Sequence, residues 1–206
     1  MFTDRTDAGE QLAAELRRSD TDADVVLGIP RGGLPVARPV ADGLDRPLDV
    51  VVAKKVGAPG NDELAVAAVA DDGTVWRNDS LIASLDLTTG YLEDAIDHAR
   101  REARETFQRY REGRPPLDLG GQRALVVDDG LATGATMSAC VQRVTGAGAG
   151  SVVVAVPVGS PRTADSLSRL ADAVVVLEAP QNFSAVGQFY ERFTQVTDKE
   201  AMALLE

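Results

Sequence analysis

The sequence predicts an α/β protein in which a parallel β-sheet is flanked by helices, and three observations carry that reading. Short apolar runs rich in valine recur without polar alternation at Asp24–Ile29, Leu48–Ala53, Ala124–Val127, Val152–Val156 and Ala173–Leu177, the pattern of strands covered on both faces. Helical periodicity fills most of the intervals between them, giving a βαβ alternation. A length of 206 residues with 44% hydrophobic content supplies one sizeable core. No internal repeat or low-complexity linker marks a boundary, so residues 1–206 are expected to form a single domain.

In chain order, the first helix is expected over Asp7–Arg18, where Leu12 and Leu16 are spaced i, i+4 and Asp7 can cap. A crossover helix over Gly33–Gly43 joins the first two strands. The interval Ala53–Arg123 then interrupts the alternation. Ala65–Ala70 and Thr74–Arg77 flank Asp71-Asp72-Gly73, and an Asp-Gly pair supplies the positive φ angles of a tight hairpin turn. A long amphipathic helix follows, with Leu92, Ile96, Ala99, Ala103, Phe107 and Tyr110 every three or four residues, until Gly113 and Pro115-Pro116 stop it. Beyond the third strand, a helix at Ala139–Val144 ends at Gly146, Gly148 and Gly150, and another is expected over Thr163–Leu170.

Acidic residues number 32 against 21 basic ones, a net charge of −11, and the only lysines are Lys54, Lys55 and Lys199. Such a surface repels phosphate backbones and anionic membranes, so neither nucleic acid nor a membrane is an expected partner. A polyanion has to bind in a local basic pocket. Acidity with scarce lysine is also the surface habit of a halophilic protein, because high salt screens the self-repulsion. The single Cys140 excludes an intramolecular disulfide, and no stretch approaches the roughly 18 apolar residues of a membrane helix. Met1–Asp7 lacks a signal-peptide pattern, and a soluble cytoplasmic protein is expected.

The chemistry concentrates in Leu125-Val126-Val127-Asp128-Asp129-Gly130-Leu131-Ala132-Thr133-Gly134-Ala135-Thr136. A buried strand delivers two carboxylates at its carboxyl end, where open α/β sheets bind ligands. A loop of small residues and threonines then runs into a helix, so backbone N–H groups, hydroxyls and the helix N-terminus can hold a phosphate. Carboxylates beside a phosphate repel it unless they address sugar hydroxyls or a Mg²⁺ that the ligand brings. A ribose phosphate meets both conditions, whereas a lone Asp-Asp-Gly is ordinarily just a turn.

This stretch resembles the phosphoribosyl-pyrophosphate motif of the type I phosphoribosyltransferases: a hydrophobic strand, two acidic residues, then a Thr/Gly/Ala-rich loop. The resemblance implies that Asp128 and Asp129 hold the ribose hydroxyls and, directly or only indirectly, substrate-borne Mg²⁺. Gly130 and the loop Ala132, Thr133, Gly134, Ala135, Thr136 would bind the 5′-phosphate. Gly28-Ile29-Pro30-Arg31-Gly32-Gly33 resembles the family's pyrophosphate loop, with Pro30, Arg31, Gly32 and Gly33 at the substrate and an unusual cis peptide at the position of Arg31. Lys54 and Lys55, at the same sheet edge, suggest pyrophosphate contacts. Val56-Gly57-Ala58-Pro59-Gly60-Asn61-Asp62-Glu63 resembles the family's flexible catalytic loop, which closes and excludes water. Residues 178–206 resemble a small C-terminal hood in which Phe183 stacks on the base.

The implied fold is the family's parallel sheet with helices, a β-hairpin with flexible loop, and that hood. The implied activity is transfer of ribose 5-phosphate from phosphoribosyl pyrophosphate to a nucleobase or other nitrogen acceptor. Arg31, Lys54, Lys55, Asp128 and Asp129 would be its catalytic set. Two departures stand out. The 6-oxopurine enzymes of the family carry an aspartate where this chain has Ala132, and a lysine after the next strand where Val156-Pro157-Val158-Gly159 has none. The acceptor, and whether the chain is a homodimer, stay open. A non-catalytic module that senses phosphoribosyl pyrophosphate is the alternative. Ala132 favours it mildly, and the lysine pair and Gly-rich lid favour an enzyme. An RNA-binding attenuator would need a basic patch. His98 is expected in solvent, Cys140 in the core and Trp76 in hairpin packing; a zinc site, a Ser-His-Asp triad and a glycosidase pair have no support.

Overall fold

The computed structural model describes residues 1–206. Its main sheet has five parallel strands in the order β2-β1-β6-β7-β8. These are β1 (Val25–Gly28), β2 (Leu48–Val50), β6 (Arg123–Val127), β7 (Ser151–Val158) and β8 (Ala173–Glu178). Successive residues of the central strands serve opposite faces. Val26, Leu125 and Val127 pack with Leu12 and Leu16 of α1 (Arg5–Arg18) and Leu34, Val36 and Val40 of α2 (Leu34–Leu44). Val25, Leu27, Ala124 and Val126 face the other way, against Met137, Cys140, Val141 and Val144 of α5 (Ala135–Gly146). Each leucine or valine so buried contributes about 1.5–3 kcal/mol, which makes this two-sided sandwich the core. Burial pushes the Cys140 thiol well up, in keeping with a packing role.

The expected strand Leu48–Ala53 is two strands in different sheets. Pairing with β1 ends at Val50, and Ala53 opens a second, antiparallel sheet of β3 (Ala53–Ala58), β4 (Asn61–Ala70) and β5 (Val75–Arg77). Asp71 fixes the crossing between them. Its N–H donates to the Val52 carbonyl at 2.9 Å, and its carboxylate accepts the Val52 N–H at 3.3 Å. The Asp71-Asp72-Gly73 hairpin turn is present, with Gly73 at φ +97°. The segment expected as the flexible loop, Val56–Glu63, forms the ends of β3 and β4 around a Pro59-Gly60 turn, with Gly60 at φ +75°. Tyr91 helps to hold it, its hydroxyl donating to the Gly57 carbonyl at 3.0 Å.

Helix α3 (Asp79–Ser84) is capped by Asn78 and α4 (Thr89–Tyr110) by Thr88. Leu92 and Ala99 of α4 bury against β3 and β4. The cap of α1 is Asp4 rather than Asp7, because Asp4 Oδ1 accepts the N–H groups of Thr6 and Asp7, each at 3.1 Å. Asp7 lies inside the first turn and accepts the Thr3 N–H. After β7 comes α6 (Pro161–Leu167), and after β8 a 3-10 turn (Val186–Phe189), an extended segment and α7 (Asp198–Ala203). Phe2 bridges to Tyr190, tying the first residues to this last segment. No helix is long and apolar enough to cross a membrane. His98 stands in solvent on α4, as expected, and Trp76 packs partly against the core.

Candidate active site

Strand β1 lies between β2 and β6, so the chain winds one way from β1 to β2 and the other way through β6, β7 and β8. The crevice outside the carboxyl ends of β1 and β6 is therefore the topological switch point, where open sheets take ligands. Two loops meet there, Ile29–Gly33 after β1 and Asp128–Gly134 after β6, joined by the Ile29 N–H donating to the Val127 carbonyl at 2.9 Å. The glycines of the first loop are dictated by contact with the second. A Cβ on Gly33 would sit 2.9 Å from Asp128 Oδ1, and one on Gly32 would overlap Asp129 Oδ2. The peptide between Pro30 and Arg31 is cis.

The two carboxylates lie at the floor of the crevice in different settings. Asp128 Oδ1 accepts the Asp129 N–H at 2.8 Å. Asp129 Oδ2 accepts from Arg5 Nε at 2.8 Å, and the Asp129 carbonyl accepts the Tyr190 hydroxyl at 2.7 Å. Burial raises both carboxyls above the usual range. For Asp128 the neighbouring Asp129 charge adds to the rise, whereas Arg5 opposes it at Asp129. Arg5 also donates to the Thr194 carbonyl at 2.9 Å and lies 3.8 Å over the Phe193 ring. One guanidinium thus joins the start of α1, the end of β6 and the C-terminal segment.

Two cavities adjoin at Asp128. The larger, about 670 Å³, takes in Pro30, Arg31, Gly32, Lys54 and both aspartates. Its other cations are already paired, Arg5 with Asp129 and Arg109 with Asp198, each at 2.8 Å; Arg31 and Lys54 are uncommitted. The smaller, about 250 Å³, is lined by Lys55, Glu63 and the loop Gly130, Ala132, Thr133, Gly134, Ala135, Thr136. Gly134 takes a left-handed conformation, φ +75°, and starts α5 without a side-chain cap. Six consecutive N–H groups, Ala132 through Met137, consequently donate to no protein acceptor. Unpartnered donors at a helix N-terminus form an anion cradle.

The structure thus brings together every expected site residue except Phe183. That ring stacks on Phe189, centroids 5.6 Å apart, and lines neither cavity; Phe193 stands in the larger one instead. Adjacent positions on a strand face opposite ways, so Lys54 and Lys55 line different cavities. Sequence reasoning missed Arg5, Arg109 and Asp198. Tyr110 and Arg109 both donate to Asp198 at 2.8 Å and hold its carboxyl below the usual range. No local pattern flags these three, because each partner is distant in sequence.

The profile of the phosphoribosyl transferase domain matches residues 3–193. A Mycobacterium tuberculosis protein with the provisional name of a phosphoribosyl transferase is 44% identical over 207 residues, covering 100% of this chain and 46% of that protein. Its counterpart in a second strain matches equally. The chain therefore spans about half the length of the curated relatives it matches. The crystal structure of TT1426 from Thermus thermophilus is 43% identical with a TM-score of 0.83, covering 100% of this chain and 97% of that one. AQ2163 from Aquifex aeolicus, at 11% identity, TM-score 0.52 and coverage of 98% and 85%, shares the fold.

Proposed function

The chain belongs to the phosphoribosyl transferase domain family, and from that premise we propose that it transfers ribose 5-phosphate from phosphoribosyl pyrophosphate to a nitrogen acceptor, releasing pyrophosphate. One observation carries the reading: an uncapped cradle of six N–H groups and a cavity with two uncommitted cations meet at one pair of carboxylates. A phosphate, a ribose and a pyrophosphate follow in that order along the substrate. We take residues 1–206 as one such domain, with 178–206 as its hood.

In this reading the loop Ala132–Thr136 holds the 5′-phosphate and Asp128 and Asp129 face the ribose hydroxyls. The C1′–oxygen bond breaks ahead of the new C1′–nitrogen bond, and positive charge grows on the ribose. The carboxylates stabilise that charge across a short distance in a partly dry floor. Arg31 and Lys54, with the N–H groups of Arg31 and Gly32, take the negative charge leaving on pyrophosphate. Two carboxylates, one already bonded to Arg5, are too few for an all-protein Mg²⁺ cage but suit an ion that keeps its waters and arrives on a polyphosphate. Such an ion would neutralise the pyrophosphate next to Asp128 and Asp129. Holding the reacting parts in register supplies much of the remaining rate.

Pyrophosphate release during a screen of nitrogen bases, with phosphoribosyl pyrophosphate and Mg²⁺ present, tests the activity and identifies the acceptor. Binding without release for every acceptor would support a non-catalytic sensor instead, the reading that Ala132 favours. The site itself is tested by calorimetry: Asp128→Asn with Asp129→Asn is expected to abolish Mg²⁺-dependent binding of phosphoribosyl pyrophosphate, and unchanged affinity would remove the assignment.

A further inference from the structure

We propose that the two adjacent lysines serve different phosphates: Lys55 is the cation of the 5′-phosphate cradle, held off it by Glu63, while Lys54 acts on pyrophosphate. This rests on the reading of the site given above and refines it, since sequence alone places both lysines on pyrophosphate.

The division follows from the backbone. Lys54 and Lys55 pair with Val69 and Ala68 in the β3/β4 ladder, so their side chains leave opposite faces of the small sheet. Lys54 emerges beside Arg31 and Asp129, Lys55 beside the loop Gly130–Met137. Beyond Lys55 the ladder is irregular: Gly57 pairs with Ala65 and Ala58 with Asn61, so three residues of β4 oppose a single step of β3. Glu63 lies in that excess, and its carboxylate reaches back to Lys55 Nζ at 2.9 Å.

Charge then assigns the roles. The cradle offers six N–H groups but stands next to Asp128, and Lys55 is the only cation lining it. Lining the same cavity, Glu63 repels an incoming phosphate and competes for Lys55. An exposed ion pair of this kind holds weakly, because water screens it and two long side chains lose freedom. Glu63 is 88% exposed and can swing into solvent at little cost. A phosphate dianion with several N–H donors is the stronger partner, so its arrival transfers Lys55 from Glu63 to the cradle.

The test is calorimetry on the full chain with two separate probes, ribose 5-phosphate and Mg²⁺-pyrophosphate. Lys55→Ala is expected to weaken ribose 5-phosphate roughly tenfold, the scale of one charge-assisted hydrogen bond, and to leave pyrophosphate within about twofold. Lys54→Ala should do the reverse. Glu63→Gln should tighten ribose 5-phosphate by about threefold or more, on the scale of a surface ion pair released, and only while Lys55 is present. Lys54→Met and Lys55→Met keep the aliphatic stems and guard against a folding defect. Equal losses on one probe from both lysine variants, or a Glu63→Gln chain that binds ribose 5-phosphate no better, would overturn the division. If the unaltered chain binds neither probe, the reading of the cradle falls too, so the two failures are distinct.

Discussion

In the proposed site, Asp128 is placed for chemistry at the expense of stability. Its carboxyl is half-buried beside a second carboxylate, and both circumstances push its proton affinity up. In the unfolded chain it ionises near the ordinary value of 3.8, so above about pH 4 the folded chain binds a proton there that the unfolded chain has released. Stability contributed at this position therefore falls as pH rises through that window and levels off above the folded value. Asp128→Asn keeps an oxygen for the Asp129 N–H and has nothing to titrate. The variant is expected to melt higher than the native chain at pH 7, with the difference shrinking towards pH 4, while losing the binding of phosphoribosyl pyrophosphate. A calorimetric melt at both pH values checks it; a lower midpoint at pH 7 would contradict the account. Arg5 carries the opposite expectation. With Arg5 and Asp129 only 11% and 16% exposed, Arg5→Gln leaves a buried charge unpaired and should cost about 3 kcal/mol in urea unfolding. Asp128 and Asp129 were legible because they stand next to each other at the end of a valine strand. Arg5 was not, because its meaning arises only when position 129 arrives beside it.

At the scale of elements, the buried pair Asp71–Arg143 links the small sheet to the main one. Arg143 Nε donates to Asp71 Oδ2 at 3.3 Å with both side chains at most 10% exposed. Arg143 belongs to α5, whose first turn is the cradle, and Asp71 clamps Val52, two residues before Lys54. Removing one partner strands the other, so Arg143→Met is expected to destabilise the chain by about 3–5 kcal/mol. Adding Asp71→Asn should return most of that, as measured by a double-mutant cycle in denaturant. Additive losses would show that the two do not act as a pair. The Asp-Gly turn behind Asp71 was legible from its two residues. Strand β3 was not, because Ala-Lys-Lys-Val-Gly-Ala has little strand propensity and owes its form to pairing with β4. Helix α7 carried a readable signal in Thr197-Asp198-Lys199-Glu200, whose end residues form a reciprocal capping box. A length of six residues hid it from any periodicity count.

For the whole molecule, the net charge of −11 and the cationic crevice make opposite demands on salt. Like charges over the surface repel at long range, and that repulsion is removed as the screening length drops from about 10 Å at 0.1 M to about 3 Å at 1 M. Exposed pairs such as Arg123 with Asp22 and Asp24 lose strength too, but their contacts are shorter than the screening length and each contributes little. With acidic residues exceeding basic ones by 11, the relieved repulsion is the larger effect. The thermal midpoint is therefore expected to rise on going from 0.1 M to 1 M KCl, a salt chosen because sulfate or phosphate would strengthen apolar burial by a separate route and occupy the cradle. Over the same range the affinity for phosphoribosyl pyrophosphate should fall, because in the proposed site Arg31, Lys54 and Lys55 attract it across partly solvated space. The acidic surface thus sets the direction of the stability response, and the local cations set that of the binding response. A midpoint that stays level or drops in KCl would mean that the surface pairs outweigh the repulsion, and the reading of this composition as an adaptation to salt would go with it.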